Sequence, residues 1–184
     1  VIAEDKPVRT YTNETLDYEG WVFYTSAVRP EGALCDNSGT IIATSGNEYQ
    51  LADFDKNNAL VLKNSFFFPK LTFETPQYGS ELNLLVLSTG GRADVMVVPV
   101  YEDETSGDTE RFGIDDWSMA GMDIAKDGLG KTKRENRNGF NDGDYSSQLQ
   151  FKVLEHKIKI NPEKRLKAIK VRNTRGGTTF AVLA

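Results

Sequence analysis

At 184 residues the chain is long enough for one domain with a substantial core, and 39% apolar with 27% charged residues excludes a disordered polymer. No apolar run approaches the roughly 18–20 residues of a membrane span, and a lone Cys35 excludes an intrachain disulfide. The net charge of −5 hides a split: 8 Lys/Arg stand against 21 Asp/Glu in residues 1–125, and 14 against 6 in residues 126–184.

A basic second half can signal nucleic acid. Here the basic residues alternate with core residues along strands instead of clustering with aromatic rings. The expectation is that strands from both halves pair in one sandwich and partly neutralise each other. All three Met residues are internal, and the chain reads as a processed protein or as a piece cut from a longer one.

Residues 1–12 are polar and interrupted by Pro7, so they read as a linker or an entry strand, with a single domain over 13–184. Trp21-Val22-Phe23-Tyr24 is an aromatic, strand-favouring run. Residues 29–39 are a loop. Thr40–Ala43 and Glu48–Leu51 are short strands around the turn Ser45-Gly46-Asn47. Asp53–Asn58 turns into the strand Ala59–Lys63. Residues 71–75 alternate apolar and polar, and Pro76 is expected to stop them.

Leu82–Leu87 is almost wholly apolar, which predicts a central strand covered on both faces. Gly90-Gly91 turns into Ala93–Tyr101, where Val95, Val97 and Tyr101 share one face and Met96, Val98 and Val100 the other. Pro99 demands an edge position or a bulge. Residues 102–110 are acidic and read as a solvated loop. Residues 118–147 form the longest stretch without a strand pattern, with a short helix conceivable at Met119–Ala125. Leu154, His156, Ile158 and Ile160 share a face, and Asn161–Lys164 is a turn. Leu166–Arg172 and Thr178–Leu183 are the last strands. The sum is an all-β jelly-roll sandwich of two antiparallel sheets.

The catalytic inventory is thin. His156 is the only imidazole, and its register favours a core or rim position. Gly-x-Ser-x-Gly is absent. A glycosidase needs only two facing carboxylates, which composition cannot exclude. Asn141-Asp142-Gly143-Asp144 resembles a calcium loop, but the twelfth position is Lys152 or Val153 rather than Glu. No cofactor is expected, with calcium at Asp142 and Asp144 left as an open possibility. Asp115-Asp116-Trp117 has two readings. An exposed Trp beside carboxylates suits a sugar; a buried Trp closes the core while an Asp bonds loop amides. Phe66-Phe67-Phe68 is hard to bury whole and can face a protein partner.

The segments 49–62, 82–91, 98–104, Gly113–Trp117 and 154–173, with the ending TFAVLA, resemble the non-catalytic jelly-roll modules of secreted glycan-degrading proteins from Bacteroides-type gut bacteria. Those modules are similar to galactose-binding-like and carbohydrate-binding modules. The resemblance implies a secreted or cell-surface accessory module without enzymatic activity. Its partners would be a glycan or the flanking domains of a larger protein, without nucleic acid or membrane insertion. For a sugar site at one loop end, Trp117 is expected as platform, Asp115 and Asp116 as acceptors, and Arg137, Asn141 and Asp142 as contributors from the long loop. The alternatives are a structural or adhesive protein-interaction domain and a small glycoside hydrolase or lyase.

Overall fold

The structure is a computed structural model that describes residues 39–51, 59–63, 68–117, 119, 125 and 152–184, with the backbone of 2–4, 124 and 126. The strands are β1 (Ile2–Glu4), β2 (Thr40–Ile42), β3 (Glu48–Gln50), β4 (Leu60–Lys63), β5 (Lys70–Gln77), β6 (Glu81–Thr89), β7 (Ala93–Tyr101), β8 (Glu110–Ile114), β9 (Ile124–Lys126), β10 (Val153–Lys159), β11 (Leu166–Asn173) and β12 (Thr179–Val182). Sheet I has the order β1-β5-β11-β7-β8 and sheet II the order β4-β12-β6-β10-β9, while β2 and β3 form a separate hairpin. Every strand pair is antiparallel. From β5 to β7 and from β10 to β12 the chain alternates between the sheets, as in a jelly roll. The chain is the all-β sandwich that its strand ladder predicts.

Burial follows the apolar pattern strand by strand. In sheet I, Val95, Val97, Ile169 and Val171 point inward, and Met96, Val98, Lys170 and Arg172 alternate with them outward. That alternation marks a sheet with one wet face. Sheet II is different. Leu84 and Val86 of β6 join Phe180, Val182, Leu154 and Ile158 in the core between the sheets. Leu85 and Leu87, on the other face, join Ala181, Val153 and Trp117 in a second core. The β2–β3 hairpin closes that second core with Ile41, Ala43, Tyr49 and Leu51. The continuous apolar run in β6 therefore answers to two-sided burial, as expected.

The hairpin is held by a carboxylate as well as by its apolar side. Glu155, on the outer face of β10, accepts a hydrogen bond from Asn47 Nδ2 at 2.7 Å and another from the Tyr49 hydroxyl. Burial pushes the Glu155 carboxyl up, but hydrogen bonds from Ser45, Tyr49 and Asn47, with Lys157 nearby, outweigh it and hold the group below the usual carboxylate range. The Tyr49 hydroxyl is pushed up, first by burial and then by Glu155.

A buried amide ties the two sheets. Asn173 is fully buried; its Nδ2 lies 3.4 Å from the Leu62 carbonyl and 3.2 Å from the Thr178 carbonyl and hydroxyl. Its Oδ1 accepts from the Arg175 amide at 3.1 Å. One side chain so satisfies the β11–β12 turn and reaches the neighbouring β4.

Several expectations change. β5 continues through Pro76 because its register with β11 breaks between Thr72 and Gln77, so the missing N–H falls where the ladder is already interrupted. Pro99 sits on a central strand, not an edge, but beyond the end of β8; its carbonyl accepts from the Gly107 amide on that side, at 2.9 Å. The stretch 118–147 contains β9, so the helix considered at Met119–Ala125 is replaced at its end by a strand paired with β10. Residues 2–4 take the entry-strand option and pair with β5. The expected strand at Trp21–Tyr24, the loop 29–38, Cys35 and the turn Asp53–Asn58 lie outside the described residues.

The hairpin clamp predicts an acid-dependent stability. A carboxyl depressed in the folded state stabilises above its unfolded pKa and loses that contribution as pH falls through the folded value. Glu155→Gln is expected to cost about 1–2 kcal/mol at pH 7, discounted for the partial exposure of the group. Thermal melts at pH 7 and pH 3 check this: the variant's melting temperature should fall less on acidification than that of the unaltered chain.

Candidate functional site

The sandwich has two loop ends. The upper end carries the β6–β7 turn at 90–92, the corner at 115–117 and the β11–β12 turn at 174–178. The lower end carries the β5–β6 turn at 78–80, the β7–β8 loop at 102–109 and the β10–β11 turn at 160–165.

At the upper end the structure brings together three of the residues singled out in the sequence and gives each a structural task. Trp117 is only 2% exposed and packs in the second core beside Leu87 and Val153. Its amide donates to the Ser88 carbonyl and its carbonyl accepts from the Lys152 amide, both at 2.8 Å. The expected sugar platform is thereby corrected, because a ring buried on both faces offers none to a pyranose. Asp116 Oδ2 accepts from the Gly91 amide at 2.8 Å and caps the turn. That turn needs glycine: Gly90 and Gly91 have φ of 73° and 117°, and a Cβ on Gly90 would come within 3.0 Å of the Gly177 carbonyl. Asp115 accepts from Arg92 Nη1 at 2.8 Å. Arg92 reaches it by lying flat on the backbone of β8, where a Cβ on Gly113 would meet the guanidinium at 1.9 Å. Arg137, Asn141, Asp142 and Asp144 lie outside the described residues. So do Phe66 and Phe67, while Phe68 sits beneath Arg172, 5.4 Å from guanidinium carbon to ring centre.

The acidic loop is less free than its composition suggests. Arg165, Lys164 and Lys167 from the β10–β11 turn and the start of β11 pair in turn with Glu102, Asp103 and Glu104. The basic second half of the chain here neutralises the acidic first half, as the charge split led one to expect. Hydrogen bonds from Lys164 and then from Thr105 hold the Asp103 carboxyl at about 2. Glu104 is held below the usual range, first by its hydrogen bond from Lys167.

Between this loop and the facing turn opens a cleft of about 560 Å³, lined by Tyr101, Ser106, Gly107, Asp108, Thr109, Glu110, Lys159, Ile160, Asn161 and Lys164. The walls are fixed from several sides. The Tyr101 hydroxyl accepts from the Asn161 amide at 2.8 Å. Lys164 Nζ bonds Asp103 and Thr105 and lies 5.8 Å from the Tyr101 ring centre. Gly107 permits the closest approach, since a Cβ there would stand 2.9 Å from the Tyr101 hydroxyl. His156 borders the same region from inside the sandwich. Its ring stacks on Phe112 with centroids 3.5 Å apart, and Nε2 lies 3.6 Å from Glu110 Oε1. This is the rim position its register implied.

Sequence reasoning missed the cleft residues Ser106, Asp108, Thr109, Lys159 and Asn161, because nothing in the local pattern joins position 108 to position 161. Among the described residues no group of three or more His, Cys, Asp and Glu side chains can hold a metal ion. Compared with models of known protein families and with curated proteins, the chain matches none.

Two outcomes test this geometry. Trp117→Ala is expected to lower stability by about 3–5 kcal/mol, as removal of a buried large aromatic does, measured by denaturant unfolding. In an NMR carboxyl titration Asp103 should show a midpoint of about 2, and Lys164→Ala should return it towards the ordinary Asp value of about 3.9.

Proposed function

We propose that the chain is a non-catalytic accessory module of a secreted or cell-surface protein that binds carbohydrate through loops at one end of its sandwich. The lower-end cleft carries this reading. Its concave surface combines hydroxyl, carboxylate, amide and ammonium groups from Ser106, Thr109, Asp108, Asn161 and Lys159 with apolar surface from Ile160. A sugar needs that mixture: donors and acceptors for its hydroxyls, and an apolar surface for its C–H face. The Asn161 amide on the Tyr101 hydroxyl and Lys164 on Asp103 and Thr105 hold its walls together, which reduces the ordering entropy that opposes binding.

Glycoside hydrolysis is the second reading, because Asp108 and Glu110 both line the cleft. Both come from one short stretch of chain, whereas the facing segment brings Lys159, Asn161 and Lys164. Hydrolysis asks for carboxylates that flank the scissile bond, so the distribution favours binding.

Affinity electrophoresis through a panel of neutral polysaccharides tests the proposal. At least one should retard the chain, and Asp108→Ala/Asn161→Ala should weaken that retention about tenfold or more without changing the melting temperature by more than a few degrees. Absence of retention on the whole panel, or retention unaffected by the double substitution, would overturn the cleft as a sugar site. Release of reducing sugar by the unaltered chain, abolished in Glu110→Gln, would establish hydrolysis instead.

A further inference from the structure

The lower-end cleft has polar walls but no open ring of its own. Tyr101, the aromatic residue that lines it, is only 3% exposed. Lys164 Nζ already lies 5.8 Å from the Tyr101 ring centre. Phe112, nearby on β8, is stacked on His156. Ile160 is thus the apolar residue that the cleft offers to a ligand.

An exposed ring does stand beside Ile160. Among the described residues the large apolar side chains most open to water are Ile42, Tyr78 and Met119. Ile42 belongs to the β2–β3 hairpin, and Met119 follows the upper corner. Tyr78, 67% exposed, sits in the β5–β6 turn at the lower end. Its neighbours in the chain reach the cleft wall. The Ser80 carbonyl accepts from the Ile160 amide at 3.0 Å, and a Cβ on Gly79 would stand 3.5 Å from Ile160 Cδ1. Tyr78 is one residue further, about 3.8 Å away from Cα to Cα. On its other side the Pro76 carbonyl accepts from Arg165 Nη2 at 3.1 Å, and Gln77 stands opposite Leu166. Both flanks of Tyr78 are therefore tied to the β10–β11 turn and the start of β11. That same turn gives Asn161 and Lys164 to the cleft.

A single exposed apolar side chain is ordinary on a protein surface; the place of Tyr78 is what marks it. A tyrosine presents a large ring at low entropic cost, having only two side-chain torsions to fix. The negative face of that ring attracts the polarised C–H groups of a sugar. We infer that Tyr78 is the stacking platform of this site. One pyranose ring lays its C–H face on Tyr78, and the units that follow pass over Ile160 to the hydrogen-bonding groups of the cleft. Tyr78 lies outside the lining of the cleft, so platform and cleft serve different units of one chain. This role rests on the carbohydrate reading of the cleft and gives it a substrate class: a chain of several pyranose units with equatorial hydroxyls. Such units keep a flat C–H face for the ring and direct their hydroxyls sideways, towards groups such as Asp108 and Asn161.

Affinity electrophoresis in gels of mixed-linkage β-glucan, xylan or hydroxyethylcellulose tests this, with inulin, a polymer of furanose rings, as control. At least one pyranose polymer should retard the unaltered chain more than inulin does. Tyr78→Ala should weaken that retardation about tenfold, and Tyr78→Phe, which keeps the ring, about twofold or less. Both variants should melt within a few degrees of the unaltered chain, because the side chain is exposed. Cellotetraose or xylotetraose should release the chain at much lower concentrations than glucose or xylose. Retardation that Tyr78→Ala leaves unchanged while Asp108→Ala/Asn161→Ala weakens it would overturn the platform and leave the cleft standing as the sugar site. Equal losses in Tyr78→Phe and Tyr78→Ala, equal potency of glucose and cellotetraose, or stronger retardation by inulin would overturn it as well. Absence of retardation by every neutral polysaccharide would overturn platform and cleft together.

Discussion

Sheet II has to be dry on both faces, and most of the molecule follows from that requirement. A strand such as β6, apolar at Leu84 through Leu87, cannot leave either side to water without losing about 1.5–3 kcal/mol per exposed large side chain. Sheet I covers one side. The β2–β3 hairpin and Trp117 cover the other. The hairpin is too short to be stable alone, so it depends on sheet II as much as sheet II depends on it. Glu155 adds direction to that docking: the apolar contacts favour closure, and the hydrogen bonds from Asn47 and Tyr49 select one position.

This division of labour separates the two ends of the sandwich. At the upper end, side chains that look suited to a ligand are consumed by the fold: Trp117 fills the second core, Asp116 caps a glycine turn, and Asp115 anchors an arginine. At the lower end the ion pairs of residues 102–104 with 164–167 brace the loop from outside. That bracing leaves Ser106, Asp108 and Thr109 exposed beside the cleft.

The strands were legible because their chemistry is local. β6 announced two-sided burial, and β7 and β10 announced their faces, through nothing more than the period of two. β9 was not legible, since three residues paired with β10 carry too little pattern. Pro76 misled because a proline stops a strand only where the ladder needs its N–H, and there the ladder is already broken. Trp117 was legible as important but not as to direction: a corner residue turns inward or outward according to the cavity that distant strands create. The cleft was invisible for the same reason, as it exists only once β7, β8 and β10 have met.

The strand order of sheet II also constrains how the chain reaches this state. β6 ends at Thr89, yet its two neighbours, β10 and β12, begin at Val153 and Thr179. This strand, buried on both faces, is therefore made long before either partner exists. On a ribosome it must wait, unpaired, for the last strand to arrive, and loop closure over such separations is slow. The nascent chain thus presents an adhesive edge for much of its synthesis, and its yield should depend on whatever shields β6 during that interval.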